Sequence, residues 1–461
     1  MKRWFLLAER GVPREEGFLA VRRIPELSSG LAYSVGFRPG YPVEAVVSGT
    51  KEPAVSVESS EYEVVAVTMG QFELGIGEFQ SRIARVREAM PRLGVDAFVV
   101  FGVTRIFYLS GFHLLPTERP VVLILSSDDL ALVVPHLEEE NIPVRTPWIQ
   151  QVVVYREYPG PKHPMQYVAD FLSARGLASK NLGVDSDGYG AYWGYRGPRL
   201  SDLVSAKLTN VANFVDDLKM IKSPAEIDLI RESARFGNLA HTFLQRGIRI
   251  GATELELSLK ASLDATASMM GILGPSYEPS SGAGATVSFT SGPKTSFNHR
   301  RAGARRIQRG DVLLTGASAD IGGYKSELER MLIVGEPSAQ VRKFFQLEVE
   351  AQNVGFAAIK PGARCSDVER QVNEFLEGRD LLPMTRTHIG HGLGMEAHEA
   401  PFLDLGDDTM IRPGMVLSVE PCLFIPGVAG FRHSDTVLVT DTGIDLITYY
   451  PRDLESLTVA V

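Results

Sequence analysis

Four of the nine histidines in this 461-residue chain fall between positions 388 and 433. Two of them, His391 and His398, stand seven residues apart around a glycine-rich bend in the stretch Gly390 to Pro401, GHGLGMEAHEAP. Imidazoles titrate near neutral pH and bind metal ions, so this density suits an active site and is what a packed core avoids. Two more pieces lie close in sequence: Glu420 within the apolar run Val416-Leu417-Ser418-Val419-Glu420-Pro421, and the strand-like Phe431-Arg432-His433-Ser434-Asp435. Histidine beside buried carboxylate supports general acid–base chemistry or a metal centre.

The rest of the chain must position these groups, and its length calls for two or three domains. An apolar fraction of 44% with 22% charged residues is that of a globular protein. No apolar run reaches the roughly 18 residues of a membrane span, and the few apolar residues after Lys2-Arg3 are too short for a signal peptide. Cys365 and Cys422 form no disulfide framework, which suits a reducing cytoplasm. A net charge of −9 argues against a nucleic-acid partner. The local basic run Arg300, Arg301, Arg305, Arg306 and Arg309 reads as a solvated hairpin. The glycines around 282–285 lack the Lys-Ser/Thr of a phosphate loop, so no nucleotide is expected.

Residues 1–72 carry short strand-like pieces such as Tyr62–Val67 and no legible chemistry. From 73 to 215 the pattern is α/β. A helix with Ile83, Val86, Met90 and Leu93 on one face leads to a buried strand at Ala97–Phe101, strands at Val121–Leu125 and Ala131–Val134, and a helix near Met165–Ala174. From 216 to 461 a unit repeats. Ser223-Pro224-Ala225-Glu226 opens one helix with a capping box, and Thr253-Glu254-Leu255-Glu256 opens another. A helix near 339–359, the stop at Lys360-Pro361-Gly362 and a helix opened by Ser366-Asp367-Val368-Glu369 repeat the arrangement, with Gly251 and Gly362 in matching places. Strand-rich sequence follows each helix pair. This is an internal pseudo-duplication, two αα-plus-sheet halves around a shared cleft.

On these motifs residues 216–461 resemble the pita-bread hydrolase superfamily of methionine aminopeptidase, prolidase, aminopeptidase P and creatinase, and residues 75–214 resemble the N-terminal domain of the creatinase and prolidase branch. The resemblance implies an α/β N-terminal domain followed by an α+β pita-bread domain with a pseudo-twofold. It places His299, in Ser291-Gly292 through Asn298-His299, at the family's catalytic histidine. His391 matches a metal-binding histidine, His398 one that contacts the substrate carbonyl, and Glu420 a metal-binding carboxylate.

Departures from the peptidase pattern are as informative. Of the two-metal ligand set Asp, Asp, His, Glu and Glu, the first Asp falls on Gly316, the second on Glu327 and the last Glu on Ser434. Losing two bridging carboxylates leaves too little negative charge for two cations, so no dinuclear site is expected. Glu327, His391 and Glu420 remain as a three-ligand set for a single Mn, Co or Zn ion; no cofactor is the favoured expectation. Metal-free creatinase offers the other template. In Gly323-Tyr324-Lys325-Ser326-Glu327-Leu328-Glu329-Arg330 it places Glu329 at one substrate-binding glutamate, with Glu420 at the other. A histidine there works as general base and acid while carboxylates hold a nitrogen-rich cationic group. Creatine itself fits poorly, because the arginine that holds its carboxylate is replaced by Phe402, which suggests a small apolar pocket. Arg119 matches an N-domain arginine that reaches the neighbouring subunit's site, implying a homodimer and an anchor for a substrate carboxylate.

Plainer readings compete for several of these residues. Glu327 also suits an ion pair with Lys325 or Arg330, Arg432 and Asp435 a buried strand-orienting pair, and His433 a surface or supporting role opposite Ser434. His388 is undecided, and His113, His136, His163 and His241 read as ordinary. The expected function is hydrolysis of a C–N bond in a small amide, amidine or dipeptide-like substrate. The alternatives are a one-metal Xaa-Pro dipeptidase or aminopeptidase, and a binding protein on an inactive scaffold. Loss of His299, His398 or the carboxylates would mark the last of these; all are present.

Overall fold

The computed structural model describes residues 72–461, apart from positions 150, 191, 276, 281–283, 298 and 299, together with two short antiparallel strands, Phe18–Ala20 and Ala66–Thr68. His299 therefore lies outside the described residues, as does most of the Tyr62–Val67 piece. Residues Met1–Gln71 form one unit and Phe72–Val461 another.

The second unit begins with the helix Ile76–Leu93, which buries Phe79, Ile83, Val86 and Met90 and stops at Gly94, whose φ of 66° is left-handed. A six-stranded sheet follows. Its order is Gln151–Tyr155, Leu130–Pro135, Val122–Ser126, Ala97–Val100, Asn181–Val184 and Lys207–Asn210. The central strands are buried on both faces, which is why they read as unbroken apolar runs. His163 caps the helix Pro164–Ala174 by accepting from the Met165 amide, a structural task for a histidine expected to be ordinary.

The rest of the unit builds a ten-stranded sheet backed by four long helices. Both expected capping boxes form: Ser223 caps Pro224–Gly247 and Thr253 caps Glu254–Leu273. Ser338 caps Ala339–Ala358. The fourth helix corrects the sequence reading. It starts two residues earlier, at Cys365, with Arg364 in place of Ser366 at its N-cap, and Ser366 donates to the Asp408 carboxylate instead. The basic run is not a hairpin either; it is an irregular connection in which Arg305 pairs with buried Asp311.

The duplication extends to single hydrogen bonds. In the first half Gly251 N–H donates to Ile307 O at 2.9 Å and Ile307 N–H to Ala252 O at 2.9 Å. In the second, Gly362 donates to Ile411 O at 2.9 Å and Ile411 to Ala363 O at 2.8 Å. Gly310 and Gly414 share a φ of 86° and donate to Val334 O and Val439 O. Only glycine adopts that backbone without strain, so the repeated glycines mark the repeated turn.

One apolar cluster runs from Ile83 to Leu457, so the six-stranded layer and the duplicated layer share a core. Fully buried Arg82 crosses between them. It donates to Tyr108 O at 2.8 Å and Tyr324 Oη at 3.1 Å, and pairs with Glu226 at 3.2 Å. Tyr324 closes the hairpin Ile321–Tyr324, whose Gly322 and Gly323 have φ of 56° and 87°, the two left-handed positions of a tight hairpin.

Candidate active site

Register brings the candidate residues to one face of the large sheet. Gly316 on Val312–Ile321 pairs with Glu329 on Leu328–Val334, and Glu329 pairs with Ser434 on Ser434–Val439. Val419 pairs with Asp435, which sets Glu420 beside Ser434 just past the end of the ladder. In the neighbouring row Thr436 pairs with Ser418, and Ser418 with His391. Side chains two apart on a strand share a face, so Glu327, Glu329, Ser418, Glu420, Ser434 and His391 all converge.

His391 sits on a short strand, Gly390–Gly392, not in a bend. A Cβ at Gly390 would collide with Ser418 O and one at Gly392 with Ala400 O, so both glycines serve close strand approach. Its Nδ1–H donates to Gly392 O at 2.9 Å, and its Nε2 lies 3.1 Å from Glu420 Oε1 and 3.7 Å from Glu327 Oε2. With Nδ1 committed as a donor, Nε2 either carries a second proton toward Glu420 or is free to bind a metal.

Arg432 is the functional residue that the sequence reading misassigned. It does not pair with Asp435; Asp435 is held by Arg330 at 2.7 Å and Arg452 at 3.6 Å. Arg432 instead reaches into the carboxylate cluster. It contacts both oxygens of Glu329, one at 2.6 Å, and lies 3.4 Å from Glu420 Oε2. Across the ladder, a Cβ at Gly316 would stand in ordinary contact with Glu329 Oε1, at 3.4 Å. Glu329 is thus committed to Arg432. Glu327 is not paired with Lys325 or Arg330: it accepts from Ser434 Oγ at 3.0 Å and Ser418 Oγ at 3.4 Å, and the two serine oxygens are 2.7 Å apart.

Burial dominates the electrostatics. It lifts the Glu327 carboxyl to about 7, helped by the Glu420 charge and opposed by His391 and Arg432. It lifts Glu329 to about 8 against the pull of Arg432. Burial would raise Glu420 too, but the His391 hydrogen bond and the Arg432 charge outweigh it and hold that carboxyl at about 2. His391 is raised: burial opposes its charge, and the Glu420 hydrogen bond and the Glu327 charge prevail. Two carboxyls pushed up beside one pushed down is the separation expected of groups that exchange protons.

The segment between His391 and Phe402 folds over the cluster. His398 is exposed and stacks on His391 with centroids 3.7 Å apart, while His388 packs edge-on to His391 at 5.9 Å and to Phe402 at 5.5 Å. Glu399 anchors the segment from below through Lys222 at 3.1 Å and Lys219 at 3.3 Å, and Lys325 Nζ donates to Met395 O at 2.9 Å. Phe402 is 36% exposed and packs against His388. Arg119 stands apart on the six-stranded layer, paired with Glu157 at 2.7 Å and Glu118 at 2.6 Å. His433 is fully buried behind the strand, edge-on to Phe345, which rules out a surface position.

Gly316 and Ser434 supply no carboxylate and a guanidinium lies among the three that remain, so the set does not fit a dinuclear centre. One ion does fit: ligand atoms of Glu327, His391 and His398 lie within 4.8 Å of one another, as do those of Glu327, Glu329 and Glu420. The expected trio of Glu327, His391 and Glu420 is close at both of its histidine contacts.

Known proteins agree with this architecture. The metallopeptidase family M24 matches residues 228–441, and the creatinase/prolidase N-terminal domain matches residues 82–221. The chain is 30% identical over 386 residues to creatinase from Bacillus sp. (strain B-0618), covering 81% of this chain and 91% of that one. It is 25% identical over 380 residues to a Xaa-Pro dipeptidase of Pyrococcus horikoshii, covering 81% and 98%. A solved Xaa-Pro dipeptidase from Bacillus anthracis superposes with a TM-score of 0.70 at 24% identity, covering 83% of this chain and all of that one. The chain belongs to the creatinase and Xaa-Pro peptidase family of pita-bread hydrolases. No helix among the described residues is long and apolar enough to cross a membrane.

Proposed function

We propose that this hydrolase cleaves a C–N bond in a small amide, amidine or dipeptide-like substrate without a dinuclear metal centre. The observation that carries the reading is Arg432, whose guanidinium bonds Glu329 and approaches Glu420, supplying positive charge inside the carboxylate cluster. In this scheme His299 takes a proton from the attacking water and returns it to the leaving nitrogen. His398 meets the polarised carbonyl, and Glu327 with Glu420 stabilises positive charge developing on nitrogen. Glu329 acts through Arg432. Residues 73–215 form the N-terminal domain, 216–461 the catalytic domain and 1–72 an extension. Arg119 anchors a substrate carboxylate across a homodimer, and the two free buried thiols suit the cytoplasm.

Full activity of purified enzyme on Xaa-Pro dipeptides in excess chelator, and its loss in His299→Ala by about 100-fold or more, are the expected outcomes. Stoichiometric metal with chelator-sensitive cleavage would overturn the reading. That result would favour a second one, a Xaa-Pro dipeptidase with a single divalent ion, supported by the clustering of Glu327, His391 and His398. An ion held there would polarise the scissile carbonyl and acidify a bound water.

A further inference from the structure

The catalytic face forms where strand pairing is interrupted, and the far side of the sheet spans the interruption. The ladder between Val416–Val419 and Ser434–Val439 ends at Val419 and Asp435. Pairing resumes at Cys422 and Arg432, the first pair of the ladder between Cys422–Ile425 and Ala429–Arg432, so Glu420 and His433 fall in a break between two ladders. Fully buried Gln352, on the helix Ala339–Ala358, takes over. Its Nε2 donates to Val419 O at 2.9 Å, His433 O at 3.2 Å and the Asp435 carboxylate at 3.1 Å. Its Oε1 accepts from Arg452 Nε at 2.9 Å, which fixes the amide's orientation. One turn earlier Glu348, also fully buried, accepts from the His433 amide at 2.8 Å. The carbonyl preceding Glu420 and both polar main-chain groups of His433, between Arg432 and Ser434, are therefore held by two side chains of one helix.

A buried amide and a buried acid are costly unless hydrogen-bonded, and here they are the partners of main-chain groups that the interrupted ladder leaves unpaired. We propose that Gln352 and Glu348 are positioning residues for the reaction. They fix the shape of the break between the two ladders and so hold Arg432 against Glu329 and Glu420. Neither touches the site; they act through the main chain of Val419 and His433. This inference rests on the site reading above, since it concerns the spacing of those same groups.

The test uses the full chain with Ala-Pro as probe. Gln352→Met keeps volume and helix preference while removing every hydrogen bond of the amide. It should lower kcat by about 30-fold with KM within about 3-fold, since displacement near 1 Å can cost about 100-fold. Glu348→Gln retains an acceptor for the His433 amide and should stay within about 3-fold of wild type, whereas Glu348→Leu should not. Arg452→Met, which removes the donor to the Gln352 oxygen together with contacts to Asn353 and Asp435, should give a smaller kcat loss and guards against failure of Gln352→Met to fold. Unchanged kcat in both Gln352→Met and Arg452→Met, with only a lower Tm, would overturn the proposal. A crystal structure of Gln352→Met reads the spacing without substrate: an unmoved Arg432–Glu420 pair also overturns it. Absence of Ala-Pro turnover by the wild type would count against the dipeptide reading alone and leave that structural measurement decisive.

Discussion

The two halves of the duplicated region keep the same skeleton and have exchanged their chemistry. Their first site strands begin at Val312 and Val416, 104 residues apart, which makes Gly316 the counterpart of Glu420. Their second strands end in equivalent bonds at Val334 and Val439, which sets Glu327 against Arg432 and Glu329 against Ser434. Each pair holds one carboxylate and one residue that cannot replace it. The first half contributes its acids late and the second half early, so the three carboxylates meet across the pseudo-twofold without any pair facing its own counterpart. The backbone tolerates this because hydrogen bonds and turn glycines specify it, while side chains on the shared face are free to diverge.

Breaking the asymmetry at its largest element means removing Arg432. Arg432→Met takes the guanidinium from Glu420, the carboxyl held ionised in this buried site, and should cost about 3–5 kcal/mol of stability. Activity should fall with it; denaturant unfolding and kcat/KM measured on one preparation check both, and unchanged values would mean that the guanidinium is ornamental. Restoring symmetry is the converse experiment. Gly316→Asp combined with Ser434→Glu returns two acids to the face, where they press on Glu329 and Glu327. This variant should unfold earlier than wild type in chelator and recover with manganese, by about 2.7 kcal/mol at a hundredfold excess over Kd. An equal manganese response in the wild type would erase the contrast between the halves.

The smallest expected effect is a pH slope. Glu327 titrates near 7 in the metal-free fold, above its unfolded value of about 4.3. The folded protein therefore retains a proton that the unfolded chain releases, and stability falls as pH rises between those two values. His391, also raised, works in the same direction above its unfolded value. Thermal unfolding from about pH 5 to about pH 8 should show that decline, and Glu327→Gln should make it shallower while Glu329 and Glu348, both lifted to about 8, keep the remainder; a slope unaltered by the substitution would assign it elsewhere.

Much of this was legible in the chain. Capping boxes at Ser223 and Thr253, the matched glycines 251 and 362, and alternating helix and strand patterns are local signals, and local interactions made them true. His391 and Glu420 could be located because each sits in a short motif whose neighbours, Gly390 or Pro421, constrain the backbone. Arg432 was missed for a physical reason. Arg432 and Asp435, three apart on a strand, suggest a pair by charge alone, yet positions of odd separation face opposite sides of a sheet. The alternation already assigned Arg432 to the face of Ser434 and Glu420. Gln352 gave no signal, since a glutamine inside a helix is ordinary until the carbonyls opposite it are known. Ser366 failed as a cap because a distant acid, Asp408, captured its hydroxyl.

The continuous interior from Ile83 to Leu457, crossed by Arg82, has a bearing on how such proteins can be recombined. Exchanging the layer before residue 216 for that of a relative would transplant half of a hydrophobic interior and one partner of a sequestered guanidinium–phenol contact. The hairpin closed by Tyr324 runs directly into Glu327, so a mismatch at that seam would propagate to the chemistry two strands away. Chimeras joined there should lose turnover before they lose secondary structure.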